Sequence, residues 1–227
     1  MTSPPLSAVL WDMDGTLVDS EPYWITAETA LVEDHGGTWD HEQALQLVGL
    51  ALEDSARAFQ HAGVRMSTGA IIDHLTSAVM TRFATDGIPW RPGARELLAE
   101  LREAGVKTAL VTMSMRRMAT TVADLIDFDA FDVIVAGDDA NRPKPFPDPY
   151  LQACEALGVD VADAVAIEDS PNGLRAALAS GAASLGVPHM VSLEGVGAHA
   201  LWPTLAGRTV SDLASVRTAR DHRGGHR

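Results

Sequence analysis

The sequence predicts an α/β fold: an open parallel sheet with helices on both faces, interrupted once by an inserted all-helical cap. Three observations carry this expectation. Five short aliphatic runs, AVLWD (8–12), TALVT (108–112), DVIVA (132–136), AVAIED (164–169) and ASLGV (183–187), each have the length of a buried strand, and such near-continuous apolar character marks strands covered on both faces. Helical patterns stand between them, as the crossovers of a parallel sheet require. The alternation lapses only between residues 21 and 87, a segment several times longer than a crossover needs.

Taken in order, AVLWD opens the sheet and delivers Asp12 at its end. The following segment reads as helices in WITAETALVEDHG, EDSARAFQHAG and GAIIDHLTSAVMTRFA, punctuated by Gly36-Gly37 and Gly63. A core of residues 1–20 and 88–227 is therefore expected around a cap of residues 21–87. RPGARELLAELREAG begins with Pro92 at a first helical position and ends at Gly105, with Leu97, Leu98 and Leu101 on one face. DPYLQACEALG repeats the device with Asp148 as cap, Pro149 next and Gly158 as terminator, and SPNGLRAALASG does so with Ser170, Pro171 and Gly181. From Arg217 onward (217–227) the chain turns basic and ends in DHRGGHR, which is expected to be a frayed, solvated tail rather than helix. The whole is a Rossmann-like architecture with a helical insertion.

A chain of 227 residues, 46% of them hydrophobic, has material for one sizeable core and a smaller accessory unit. Its 17 lysines and arginines against 31 aspartates and glutamates give a formal charge of -14, which opposes any general attraction to nucleic acid or anionic lipid. No signal peptide and no uncharged run of membrane-spanning length is found, so a soluble, cytoplasmic, monomeric protein is expected. The single cysteine, Cys154, lies in an apolar helical pattern and is read as a packing residue. Other chemistries find little support. His41-Glu42 starts like a zinc-protease motif, but Leu45 stands where the second histidine belongs, and neither GxSxG nor GxxxxGK occurs.

In open parallel sheets, ligands bind outside the carboxyl ends of the strands. The conspicuous polar residues cluster there in sequence: Asp12 and Asp14 end the first strand, Thr112 and Ser114 the second, Glu168 and Asp169 the fourth, and Lys144 lies just past the third. Converging carboxylates repel unless a cation joins them, and an all-oxygen cluster suits Mg2+. An aspartate at a strand end can attack phosphorus, while a second aspartate two residues on can protonate the leaving oxygen and later deprotonate water. Thr112, neighbouring main-chain N–H groups and Lys144 would hold the phosphoryl oxygens.

On these residues the chain resembles the haloacid dehalogenase-like superfamily of phosphotransferases, in the subgroup with a helical cap after the first strand. Asp12-Met13-Asp14-Gly15-Thr16 meets its DxDGT pattern, Thr112 its strand-two hydroxyl, Lys144 its lysine and Glu168-Asp169 its acidic pair, all in family order over roughly residues 8–187. The resemblance implies that Asp12 is nucleophile and metal ligand, and that Asp14 is the acid/base and lends its main-chain carbonyl to Mg2+. It implies that Asp169 completes the ligands, with Glu168 either a direct ligand or one step removed, and that the Gly15-Thr16 turn is a flap toward the cap. Dehalogenases of the superfamily lack the second aspartate, so Asp14 favours phosphoryl transfer. Thr112-Met113-Ser114 departs from the commoner pattern, though the Met113 N–H remains available for phosphate; Ser114 is expected to cap the next helix.

Within the subgroup, β-phosphoglucomutases and sugar-phosphate phosphatases are separated by the cap. Where the mutases carry a histidine and an arginine, this sequence has Trp24 and Leu52. Without the arginine, the distal phosphate of a bisphosphate loses a bidentate partner. A phosphatase acting on a small phosphorylated metabolite, a sugar phosphate, therefore ranks above a mutase, and both rank above a non-catalytic phosphate-sensing module. Trp24 and Trp39 are expected in the cap core.

Overall fold

The central strand β1 (Ala8–Trp11) has all four side chains buried, because it is paired on both edges and covered on both faces. In this computed structural model, which describes residues 6–224, β2 (Lys107–Val111) and β4 (Ala164–Glu168) flank it in parallel, with Trp11 level with Leu110 and Ile167. β3 (Val133–Val135), β5 (Ala183–Gly186) and β6 (Ala200–Leu201) complete an all-parallel sheet in the order β3-β2-β1-β4-β5-β6. Side chains alternate across a strand. Val9 and Trp11 accordingly join one apolar cluster with Leu97, Leu101 and Leu213, and Ala8 and Leu10 join another with Tyr150, Cys154 and Ala176. The strands begin and end within one or two residues of the runs expected from sequence; β6, two residues long, had no run to betray it.

Helices α5 (Ala94–Glu103), α6 (Arg116–Asp124), α7 (Asp148–Leu157), α8 (Pro171–Ser180) and α9 (Val210–Gly224) accompany the sheet. Ser170 caps α8 by accepting from the Gly173 N–H at 3.1 Å, and Gly181 ends it in the left-handed region. Two expected caps shift by a residue or more. Pro92 precedes the N-cap, Gly93, instead of starting α5. Asp148 is the first residue of α7 after the N-cap Pro147, and its carboxylate takes both arms of the Arg142 fork at 2.9 and 2.8 Å.

The expected frayed tail is a correction. α9 runs through residue 217 to Gly224 because Leu213 and Val216, three apart, are buried against the rest of the molecule, and because Arg217 reaches Asp163 at 2.8 Å. DHRGGHR is thus helical through its first glycine, while residues 225–227, with His226, lie outside the described residues.

Between β1 and α5 stand α1 (Glu21–Asp34), α2 (His41–Leu45), α3 (Leu52–His61) and α4 (Thr68–Asp86). α1 and α3 each pack against α4, and their apolar faces, with Leu31, Phe59, Ile71 and Val79, continue the Trp11 cluster. α2, absent from the sequence expectation, is closed by a reciprocal capping box between Asp40 and Gln43. Among the described residues, no helix is long and apolar enough to cross a membrane.

Candidate active site at the carboxyl edge of the sheet

Asp12, Thr112 and Asp169 each occupy the first position past their strand, β1, β2 and β4. Parallel pairing therefore brings them to the same edge of the sheet, Thr112 and Asp169 one residue beyond the level of Asp12. The chain then turns sharply: Gly15, with φ of +79°, donates its N–H to the Val18 carbonyl at 2.7 Å. A Cβ at Gly15 would collide with Asp169 Oδ2, so glycine there serves both the backbone angle and the approach of the carboxylate.

Lys144 joins the expected groups. Its buried ammonium donates to Asp12 Oδ1 at 2.7 Å, Glu168 Oε1 at 2.6 Å and the Val111 carbonyl at 2.9 Å, using all three protons. Glu168 accepts further bonds from the Tyr150 hydroxyl at 2.6 Å and from the Ser170 hydroxyl at 3.2 Å. Asp169 Oδ1 accepts from Thr16 at 3.3 Å. Asp14 turns elsewhere: its Oδ1 accepts from Ser20 at 2.5 Å and the Trp24 indole N–H at 3.0 Å, and its Oδ2 from Ser114 at 2.6 Å and Thr112 at 3.4 Å. Met113 lies on the cleft wall, its sulfur accepting the Lys144 main-chain N–H at 3.3 Å.

Charge follows from this packing. Burial pushes the Asp12 carboxyl up to about 7, the Glu168 charge adding to the effect and Lys144 opposing it. Burial, followed by Asp12 and Glu168, holds Asp169 well above the usual carboxylate range. Burial alone would lower Lys144, but Asp12 and Glu168 hold it above its ordinary value. The cluster has more negative charge than one ammonium can balance.

A divalent cation fits that excess. Asp12, Glu168 and Asp169 can each offer an oxygen with all three atoms within 4.8 Å of one another, and Asp169 Oδ2 is buried without a hydrogen-bond partner. A hard cation is the partner such an oxygen set favours. The Asp14 carboxylate stands outside this set.

A cleft of about 800 Å3, counting its open mouth, lies between the sheet edge and α1–α4, and Asp12, Asp14, Thr112, Met113, Lys144 and Asp169 line it. Trp24 and Leu52 line it as well. Trp24 is therefore both buried, as expected, and a direct partner of Asp14. Ser114 corrects its expectation: Met115 is the N-cap of α6, and the Ser114 hydroxyl serves Asp14 instead. Sequence reasoning passed over Glu21 and Glu28, two buried acids of α1 on the cleft wall. Their signal was available, since Glu21, Trp24 and Glu28 at i, i+3 and i+7 share a helix face with Leu31.

An open parallel sheet with an acidic cluster and a lysine at its carboxyl edge, and four helices inserted after β1, makes this an α/β protein of the doubly wound class. The chain belongs to the haloacid dehalogenase-like hydrolases, whose family model matches residues 9–187. Protein CbbY, plasmid, of Cupriavidus necator is 30% identical over 211 residues, 83% of this chain and 81% of that protein. Hexitol phosphatase B of Escherichia coli is 30% identical over 193 residues, 83% of this chain and 86% of that protein. CbbY from Rhodobacter sphaeroides, solved in complex with xylulose-(1,5)bisphosphate, superposes with a TM-score of 0.84 at 28% identity, covering 92% of this chain and 99% of that one. With such relatives the chain is a phosphatase of the haloacid dehalogenase-like type, a phosphoric monoester hydrolase.

Proposed function

We propose that this protein is a Mg2+-dependent phosphomonoesterase acting on a small phosphorylated metabolite, a sugar phosphate, through an aspartyl-phosphate intermediate on Asp12. Residues 1–20 and 88–227 form its catalytic core and residues 21–87 its cap. The observation that carries the reading is the unlike environment of two aspartates two residues apart. Asp12 sits beside Lys144 and the acid cluster, whereas Asp14 is held by three hydroxyls and an indole N–H on the cleft wall.

Asp12, Asp169 and the Asp14 main-chain carbonyl would hold the Mg2+. Both Glu168 oxygens already accept hydrogen bonds, so its role is to fix Lys144. Bound there, the cation would neutralise the cluster and draw charge from the phosphoryl oxygens. The Thr112 hydroxyl and the Met113 N–H bind those oxygens, and the Lys144 ammonium, held by Asp12 and Glu168, offsets their charge. A carboxylate oxygen of Asp12 forms a bond to phosphorus as the ester P–O bond breaks, and Asp14 gives its proton to the departing alkoxide. Asp14, now ionised, takes a proton from water as that water's oxygen attacks the phosphorus of the acyl phosphate. The Asp12–phosphoryl bond breaks, releasing phosphate and restoring both side chains.

A mutase must grip a second phosphate. Among the residues lining the cleft, Lys144 is the only cationic side chain, and Trp24 and Leu52 stand where the mutase resemblance calls for histidine and arginine. Hydrolysis is the better-supported outcome. The test is phosphate release from a panel of phosphomonoesters with and without Mg2+, beside Asp12→Asn. Release that needs both the metal and Asp12 is expected; conversion of β-glucose 1-phosphate to glucose 6-phosphate with an added bisphosphate, and no net release, would make the protein a mutase.

A further inference from the structure

The α1 wall of the cleft carries two carboxyl groups that phosphoryl transfer does not use. Glu21 is 9% exposed, faces the cleft, and has no hydrogen-bond or ion-pair partner among the described residues. Glu28, 8% exposed, accepts one bond, from the Trp39 indole N–H at 3.3 Å, through Oε2 only. The partnerless oxygens of these two acids are not sealed inside the fold but open onto the cleft, where they face whatever enters it. A ligand bearing donors supplies the missing bonds. The same wall is otherwise apolar, with Leu47, Leu50, Leu52, Phe59, Ile72 and Leu75. Lys144, the cleft's cation, is already committed to Asp12 and Glu168.

We infer that Glu21 and Glu28 are specificity-determining residues that receive the hydroxyl groups of the leaving alcohol, so that the enzyme selects monophosphates of neutral polyols or sugars and refuses esters bearing a second phosphate or a carboxylate. This rests on the phosphomonoesterase reading above. Hydroxyls suit the pair because burial lifts Glu28 to about 7 and Glu21 to about 8, leaving carboxyls able both to accept and to donate near neutral pH. Anions do not suit it: a second phosphate would meet carboxyls on α1 and aliphatic side chains on α2–α4, with no free cation among the lining residues.

The experiment compares kcat/KM at saturating Mg2+ for sorbitol 6-phosphate, 6-phosphogluconate, fructose 1,6-bisphosphate, glucosamine 6-phosphate and p-nitrophenyl phosphate, in the wild type, Glu28→Gln, Glu28→Leu and Glu21→Gln. The wild type is expected to favour sorbitol 6-phosphate over 6-phosphogluconate and the bisphosphate by about tenfold or more, the worth of one hydrogen bond to a charged group. Glu28→Leu is expected to lower the ratio of sorbitol 6-phosphate to p-nitrophenyl phosphate by about tenfold, chiefly through KM, and Glu28→Gln, which keeps hydrogen-bonding atoms, to lower it less. Equal use of the acidic esters, a ratio unmoved in both Glu28→Leu and Glu21→Gln, or a strong preference for the aminosugar ester would overturn the inference while leaving the phosphatase standing. Failure to release phosphate even from p-nitrophenyl phosphate would overturn both.

Discussion

Two aspartates separated by one methionine serve different chemistry because each meets different neighbours, and the same logic governs Glu28. Asp12 and Asp14 were legible because a strand end fixes where a side chain emerges. Glu28 was legible only as a residue on the Trp24 and Leu31 face of a helix; that this face lines a cleft emerges once α1 is laid across the sheet edge. Its environment has a measurable consequence for stability. Burial raises its carboxyl from 4.5 to about 7, the Trp39 N–H opposing. Between those values the folded chain binds a proton that the unfolded chain has released, so stability falls as pH rises through that window. The contribution is fully present below about pH 4.5 and amounts to about 3 kcal/mol by the time it is lost above about pH 7. Urea unfolding of wild type and Glu28→Gln at pH 5 and pH 8 checks this: the variant should gain on the wild type by kilocalories as pH rises, and parallel losses in both would refute it.

At the scale of elements, the strands were readable because double burial favours short, mostly aliphatic runs, and β6, two residues long at the sheet edge, is too short to form one. Cap positions blurred by a residue or two, since Pro147 and Asp148, or Pro92 and Gly93, each offer a plausible helix start until packing chooses. α9 escaped notice for a related reason. Its basic residues and glycines argue locally for disorder, whereas its anchors are tertiary: Leu213 is fully buried and Arg217 pairs with Asp163. Leu213→Ala should therefore cost about 2–5 kcal/mol, the range for truncating a core leucine. A denaturant midpoint unchanged by the substitution would mean that the terminal helix is not part of the cooperative unit.

For the whole molecule, the formal charge of -14 and the substrate's own negative charge oppose each other at every distance beyond the cleft. Attraction is confined to Lys144 and the cation its neighbours would hold, a short-range grip inside a long-range barrier. The two respond differently to salt. Exposed charges are screened over a Debye length that shrinks from about 30 Å at 0.01 M to about 8 Å at 0.15 M, while buried pairs such as Lys144 with Asp12 and Glu168 are screened far less. Raising ionic strength should thus weaken the barrier more than the grip. With Mg2+ kept saturating so that metal binding is not limiting, kcat/KM for a dianionic phosphomonoester should rise severalfold between about 0.01 and 0.15 M salt, and kcat should change less, because chemistry occurs after the barrier is crossed. Initial rates across a sodium chloride series decide it. A kcat/KM that falls with salt would mean that the positive focus at the sheet edge already governs approach, and that the acidic surface contributes solubility alone.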